Sequence, residues 1–290
     1  MNAYLLHIII LIEIYVILSL GLQIVLGWGG LFNLAHVAMF GVGAYVVATL
    51  TTQMHIDPWI ALMLAPVGAV LAMYPVYLIS LRLRGDAFAL GSLALSLCIV
   101  SVFINWSSVT NGVLGIAGIP RVTLFGISTD ANELFFIVLT IATLCFLAIS
   151  LMLHAAPFGR YLYAQSEFEQ AVDALGVSAA KMRSVACMLG AVYAGSAGGF
   201  FAMYLSFIDP TSFSLSEMIF ILSIVILSGL YSVWSVLLST AFLVVLPEVL
   251  RFADMPSSIL GPGRQFLYAI TLYLAVLVRG KKIFIARREV

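Results

Sequence analysis

The chain has 290 residues, of which 63% are apolar and only 9% are charged, and its 13 basic and 13 acidic side chains leave no net charge. A soluble domain carries roughly 25% charged residues, so this composition excludes a soluble fold, and the zero net charge gives no indication of a nucleic-acid partner. Repeated apolar runs near the length that crosses a bilayer as a helix predict an all-α, polytopic transmembrane bundle.

We predict about eight or nine membrane segments, some of them broken or re-entrant. "GWGGLFN" (27–33) has three glycines and no charge, and "SGLYSVWS" (Ser228–Ser235) interrupts an apolar stretch that is too long for one span. Irregular backbone is tolerated at membrane depth where it lines a cavity, so both stretches favour a helix break over an aqueous loop. The apolar segments are residues 4–26, 34–53, 59–81, 87–104, 133–153, 184–207, 216–230, 231–250 and 265–279.

The basic side chains orient the bundle. Most of them fall in three regions that alternating spans place on one side, which the positive-inside rule assigns to the cytoplasm. The side of the first segment stays open, because nine full spans place its start outside and one re-entrant segment before Arg82 places it inside. The cytoplasmic group is Arg82, Arg84, Arg160, Lys181, Arg183, Arg279, Lys281, Lys282, Arg287 and Arg288, against Arg121, Arg251 and Arg264 on the outer side.

A polar segment, "SEFEQAVDALGVSAAKMR" (Ser166–Arg183), carries five charged side chains between two almost purely apolar runs. Ser166 followed by Glu169 has the spacing of a capping box, and Gly176 suits the position after a helix end. We therefore predict a helix of roughly nine residues and then a turn, with Ser178 capping the next helix.

The apolar residues of this short helix, Phe168, Val172 and Leu175, follow one another at helical spacing and predict a single stripe. Glu169 and Asp173 lie on a different face. So short a helix is marginal alone, so something must hold it. It is either a solvated connector that rests on its own bundle or a docking helix offered to a partner protein.

Five sequence blocks, spread over nearly the whole chain, carry a likeness to a known family. They are "LGWGGLFNLAHVAMFGVGAY" (Leu26–Tyr45), "RLRGDAFALGSLALS" (Arg82–Ser96), "TNGVLGIAGIP" (Thr110–Pro120), "APFGRYLYAQSEFEQAVDALGVSAAKMR" (Ala156–Arg183) and "LPEVLR" (Leu246–Arg251). Together they resemble the membrane-spanning permease subunits of ATP-binding-cassette importers for branched-chain amino acids. The resemblance is strongest to the member of the permease pair that carries a Gly-Ile-Pro outer loop.

The resemblance implies one permease domain, residues 1–290, with a cytoplasmic coupling segment at about 155–183, in the bacterial inner membrane. Its partners would be a second, homologous permease subunit, two ATPase subunits and a periplasmic or lipid-anchored solute-binding protein. The chain would bind no cofactor itself, and the ATPases would hold ATP and Mg. Coupling to the ATPases would fall to Phe168, Glu169, Val172, Asp173, Ala174, Leu175 and Gly176.

Candidate pathway residues lie at and after the first break. Polar groups at membrane depth are costly, so His36 either lines the translocation pathway or is a satisfied packing histidine. Asn33 lies beside the glycines, where opposed helix ends can hold the carboxylate and ammonium of a ligand. Tyr45 either lines the pathway or packs at an interface. The family commonly has Ser-Leu-Gly-His where this chain has Asn33-Leu34-Ala35-His36.

Three further pathway candidates lie at the outer mouth and at the second break. Thr110 and Asn111 contact the delivering protein or the ligand, or they only form a turn. Ser232 lies in the second break, where the family favours a Gly-Gly-x-Gly pattern. Bulky Tyr231 and Trp234 stand here instead, which leaves the substrate and the pathway shape open.

Two other classes of function compete with a subunit of an ATP-driven importer. An ion-coupled secondary transporter of a small solute needs membrane carboxylates or a cation site, and Glu13 and Glu248 are the candidates. An intramembrane enzyme needs a catalytic constellation. The sequence contains no Walker-type loop, no His-Glu-x-x-His, no Cys-x-x-Cys and no Gly-x-Ser-x-Gly, so we predict a non-catalytic chain without a metal site.

Overall fold

The structure, a computed structural model, describes residues 3–83, 85–124, 127–128, 132–229, 231–252 and 257–284. Most of these residues are helical, as lipid requires of a spanning chain. The helices are α1 (Ala3–Leu22), α2 (His36–Thr52), α3 (Pro58–Arg82), α4 (Gly85–Asn105), α5 (Ser107–Thr110), α6 (Asn132–Ala155), α7 (Pro157–Glu167), α8 (Glu169–Ala174), α9 (Ala179–Leu205), α10 (Leu215–Ser228), α11 (Val233–Phe252) and α12 (Ser257–Phe284). The strands are β1 (Ile116–Ala117), β2 (Thr123–Leu124), β3 (Ile127–Ser128) and β4 (Phe207–Ile208), with β1 antiparallel to β4 and β2 antiparallel to β3.

Contacts at the two ends of α1 show in which direction this helix runs through the bundle. Nδ1 of His7, near the start of α1, lies 2.5 Å from the hydroxyl of Tyr204 at the end of α9. The Trp28 ring, beyond the other end of α1, lies 5.3 Å from the ring of His154 at the end of α6. Helix α1 therefore runs from the end that holds the 110–120 loop to the end that holds α7 and α8.

The described residues contain five helices that are long and apolar enough to cross a membrane, and four shorter apolar helices. Those long and apolar enough to cross a membrane are Tyr4–Trp28, Pro58–Ile79, Gly85–Asn105, Asn132–Ala155 and Ala179–Leu205, and His36–Thr52, Leu215–Ser228, Val233–Pro247 and Gln265–Leu277 are shorter apolar helices. The prediction of an all-α polytopic bundle is confirmed. If the end with α7, α8 and Lys181 faces the cytoplasm, as the positive-inside rule requires, α1 begins on the outer side. Of the predicted cytoplasmic cations, Arg84, Arg287 and Arg288 lie outside the described residues.

Helix α9 is the centre of the bundle and is buried on nearly all sides in its outer two thirds. It packs against α2 and α3 through small residues, which let helix backbones approach closely. A Cβ atom on Gly43 would lie 2.1 Å from the carbonyl oxygen of Gly195, and one on Gly198 would lie 1.9 Å from that of Phe40. Glycine is therefore required at these crossings.

The outer end is closed by loops that bind to each other. Gly115, with φ +71°, brings the outer loop so close to β4 that a Cβ there would lie 2.2 Å from the Ile208 carbonyl oxygen. The Arg121 guanidinium donates to the carbonyl oxygens of Met203 and Tyr204 at 3.4 and 3.1 Å, which satisfies the C-terminal end of α9. These contacts hold the outer loop against the end of α9.

Candidate functional site

The first helix break separates α1 from α2. Helix α1 continues into a buried π-helical turn, Gln23–Trp28, and no helix is present from Gly29 to the start of α2. The chain folds back on the turn, since the Leu31 amide donates to the Val25 carbonyl oxygen at 3.1 Å. The π-helical turn widens the helix, and such turns occur frequently at functional sites.

This break lies inside the bundle, as the glycine pattern predicted. Its far end is fixed to α4, where the Leu34 amide donates to the Ser92 hydroxyl at 3.0 Å. A Cβ atom on Gly190 would touch both Val25, in the π-helical turn, and the His36 ring. Gly190 lies about eleven residues into α9, so the break reaches roughly 16 Å from the cytoplasmic start of that helix.

The second break joins the first through one side chain. Helix α10 ends at Ser228, Gly229 has φ +82° and α11 begins at Val233. The buried Gln23 amide donates to the Gly229 carbonyl oxygen at 3.1 Å, and the Ser228 hydroxyl donates to Oε1 of Gln23 at 3.4 Å. Sequence reasoning missed Gln23. The only local signal for it is a glutamine inside an apolar run.

The structure brings Asn33 and His36 close to the first break, yet both are buried. Oδ1 of Asn33 accepts from the Ala35 amide at 3.1 Å, which closes a turn ahead of α2. Nε2 of His36 lies 2.9 Å from the Leu18 carbonyl oxygen and therefore donates to it. Nδ2 of Asn33 and Nδ1 of His36 are buried without a partner, so each residue keeps one polar atom for a ligand or a rearranged state. Their pathway role stays a prediction.

The remaining pathway candidates lie elsewhere. Tyr45 stacks on Phe103 with ring centroids 4.3 Å apart and is buried near the outer end. The Thr110 hydroxyl donates to the Phe103 carbonyl oxygen at 2.7 Å, which is the turn chemistry weighed as its alternative. Asn111 is exposed with φ +61°, and Ser232 is exposed at the cytoplasmic end. The six candidates therefore lie along the bundle and do not form one pocket.

The coupling segment differs from the single nine-residue helix that the sequence predicted. It contains two helices, α7 with 11 residues and α8 with 6, and Phe168 is the extended joint between them. The capping box is wrong, because the Ser166 hydroxyl donates to the Tyr163 carbonyl oxygen inside α7. The two predicted ends are confirmed, since Gly176 has φ +80° and the Ser178 hydroxyl accepts from the Lys181 amide.

The predicted apolar stripe is also split. Val172 is 1% exposed and packs inward, whereas Phe168 is 57% and Leu175 is 72% exposed. These two residues flank α8 and do not share its buried face. Of the other predicted coupling residues, Asp173, Ala174 and Gly176 have exposed surfaces and Glu169 is half-buried.

Two polar contacts hold α8 to α9. Nη1 of Arg183 lies 2.5 Å from Oε1 of Glu169, and the two side chains are 6% and 19% exposed. Oδ1 of Asp173 accepts from the Ala179 amide at 3.0 Å, at the first residue of α9. The short helix is thus fixed on its inner face and presents Phe168 and Leu175 outward. Arg183 was not among the predicted coupling residues.

Comparison with known proteins identifies the family of the chain. A family model for the permease component of branched-chain amino acid transport systems matches residues 4–278. The chain belongs to this permease family. It is similar to the high-affinity branched-chain amino acid transport system permease protein LivM of Escherichia coli (strain K12) and of Salmonella typhimurium (strain LT2), each 32% identical over 281 residues, 89% of this chain and 66% of the relative. The chain therefore spans slightly less than two thirds of the length of these relatives. No solved structure matches it.

The permease carries buried carboxylates within its helices. Glu13 accepts from the Thr140 hydroxyl at 2.8 Å, and its second oxygen is buried without a partner. Glu217, which sequence reasoning missed, accepts from the Tyr15 hydroxyl at 2.5 Å. The side chain of Glu248 lies outside the described residues. Within the described part of the chain, no group of three or more His, Cys, Asp or Glu side chains could hold a metal ion.

Proposed function

We propose that the permease is the membrane subunit of an ATP-binding-cassette importer and forms half of the pathway for branched-chain amino acids or a related small polar solute. Two helix breaks joined by Gln23 support a solute pathway, since discontinuous helices hold ligands in transporters, and the matched permease family supports the importer class. The name of the LivM relatives supports the solute class. The proposed location is the bacterial inner membrane.

The proposed partners bind at the two ends of the bundle. Two ATPase subunits, which hold ATP and Mg, bind at the cytoplasmic end and contact Phe168 and Leu175. A solute-binding protein, periplasmic or lipid-anchored, delivers the ligand at the outer end, near exposed Asn111. A second, homologous permease subunit completes the pathway. The permease itself performs no chemistry in this scheme.

A mechanical route connects the proposed motor to the breaks. The ion pair of Glu169 with Arg183 fixes α8 to α9, and α9 is one helix of 27 residues. Gly190 of α9 then packs against the Val25 and His36 side chains at the first break, and Gly198 packs against the backbone of α2. Closure of the ATPases would pull α8, tilt α9 and change the spacing of both breaks, because Gln23 links them.

Co-purification with the ATPases tests the docking surface. We expect Phe168→Glu and Leu175→Asp to release the ATPases, because each places a carboxylate on a surface that must become dry. Asp173 is unsuitable for this test, since its carboxylate holds the start of α9. The matched control is Leu83→Asp, an exposed leucine in the other cytoplasmic turn. ATPases that stay bound to both α8 variants would refute the docking assignment.

Uptake by reconstituted vesicles tests the proposal as a whole. Vesicles should contain the permease, its paired subunit, the ATPases and the binding protein. They should accumulate leucine only when ATP is present on the side of the membrane that holds the ATPases. Leucine uptake driven by an ion gradient, in vesicles that lack the ATPases, would overturn the proposal and favour the secondary transporter.

A further inference from the structure

A cavity of about 350 Å³ opens at the end of the bundle that holds α7 and α8. We call it the interfacial cavity, and its lining residues are Trp28, His154, Gly159, Arg160, Tyr163 and Tyr231. They come from the π-helical turn, the end of α6, the start of α7 and the second break. Four separate parts of the fold therefore converge on one space.

Among the described residues, the lining is rich in hydrogen-bond donors and includes no carboxylate. Trp28 is 1% exposed, and its indole N–H is buried without a hydrogen-bond partner. The Trp28 and His154 rings are 5.3 Å apart, and Arg160 adds a cation to the same lining. Donors of this kind, with a cation, suit an oxyanion.

The start of α7 adds a backbone contribution. Gly159 belongs to the first turn of this 11-residue helix, at the positive end of the helix dipole, and the Arg160 amide donates to the Ala156 carbonyl oxygen at 3.4 Å. Gly159 packs so tightly on α6 that a Cβ atom would lie 2.5 Å from the Leu153 carbonyl oxygen. The helix start is thereby fixed next to the cavity.

The part of the lining that Tyr163 and Tyr231 form is less favourable for an anion. Tyr163 and Tyr231 form an edge-to-face pair there, with ring centroids 4.3 Å apart. Burial raises the pKa of the Tyr231 hydroxyl, and the neighbouring Tyr163 and Glu167 raise it further. The two tyrosine rings suit the glycerol backbone and upper acyl chains of a lipid, because aromatic rings are enriched at the headgroup level of membranes.

We propose that the interfacial cavity binds an anionic phospholipid of the cytoplasmic leaflet, with its phosphate group between Trp28, His154 and Arg160. Basic pockets between transmembrane helices on this side are the general form of such sites. The bound lipid would bridge α6 and α7 to the second break. The proposal does not depend on the importer function.

Native mass spectrometry of the full chain in detergent tests this site. We expect phosphatidylglycerol to bind more tightly than zwitterionic phosphatidylethanolamine, and Arg160→Gln to weaken it about fivefold, as one basic residue near the surface does. Trp28→Phe should also weaken binding, because it removes one donor and keeps the ring. Lys181→Gln is the control, since Lys181 is an exposed cation of the same side that does not line the cavity.

Each other outcome overturns the proposal. Equal phosphatidylglycerol binding by wild type and Arg160→Gln would show that the cavity does not hold the headgroup. Equal binding of the two lipids would remove the anionic preference. Inorganic phosphate that raises the thermal unfolding temperature as much as phosphatidylglycerol at equal concentration would identify a free-anion site. Because Arg160 is exposed, its variant should fold, and size-exclusion chromatography verifies this.

Discussion

The buried ion pair between Glu169 and Arg183 gives a prediction whose size follows from the structure. Its atoms are 2.5 Å apart, and the two side chains are 6% and 19% exposed. Removing one partner of a fully buried pair costs about 3–5 kcal/mol. Because Glu169 is partly hydrated, we expect Arg183→Met to loosen α8 by about 2 kcal/mol, which lowers the attached fraction about 30-fold relative to the detached one.

The assay is leucine uptake per ATP hydrolysed in vesicles that contain the whole importer. We expect Arg183→Met to lower this ratio at least tenfold while ATP hydrolysis continues, because in the proposed assembly the ATPases would still bind α8 but α8 would no longer move α9. The charge-swapped double variant, Glu169→Arg with Arg183→Glu, should recover part of the loss, since it restores the pair. Lys181→Met, which removes an exposed cation from the same helix, is the control.

A merely solvated connector would behave differently. In that case Arg183→Met would leave the uptake ratio within twofold of wild type. The charge-swapped double variant is compared with Glu169→Arg alone and Arg183→Glu alone. If its loss of uptake ratio equals the sum of the two single losses, in free-energy units, the two charges are not coupled and the reasoning is refuted.

Three other variants test the packing. Gly198→Val should prevent assembly of the bundle, since even its Cβ would lie 1.9 Å from the Phe40 carbonyl oxygen; a monodisperse variant with unchanged thermal unfolding would contradict this. Gln23→Leu should cost about 1–3 kcal/mol, because the Gly229 carbonyl oxygen loses its donor, and should lower uptake; unchanged uptake would separate the breaks from transport. Arg121→Met should lower the thermal unfolding temperature by freeing the end of α9, and an unchanged temperature would exclude that capping role.

The helix breaks could be predicted from sequence because their signal is local. "GWGGLFN" and "SGLYSVWS" place glycine where helix backbone is weakest, and the helices stop close to these positions. The predicted helix end before Gly176 and the predicted cap at Ser178 are confirmed for the same reason. A helix end is determined largely by the few residues that form it.

The coupling segment was misassigned because a second local signal was ignored. Pro157 is a favoured first residue of a helix, and α7 begins there. Once α7 runs through Ser166, that residue is no longer free to cap, and the split at Phe168 follows. The apolar spacing of Phe168, Val172 and Leu175 could not show that only Val172 is buried.

The long-range contacts had no sequence signal. Gln23 and Gly229 are separated by 206 positions, and Glu13 and Thr140 by 127. Only the packing of α1 beside α10 and α6 brings these groups together. Burial of His36 and Tyr45 likewise depends on neighbours from other helices, which periodicity alone does not identify.

Cysteine cross-linking to the ATPases tests the central claim most directly. In a permease whose three free cysteines, Cys98, Cys145 and Cys187, are replaced by serine, a single cysteine is placed at 168, 172 or 175. The account predicts cross-links from positions 168 and 175 and none from position 172, because Val172 is 1% exposed and faces the permease itself. Cross-linking from position 172 alone, or from none of the three, would contradict it.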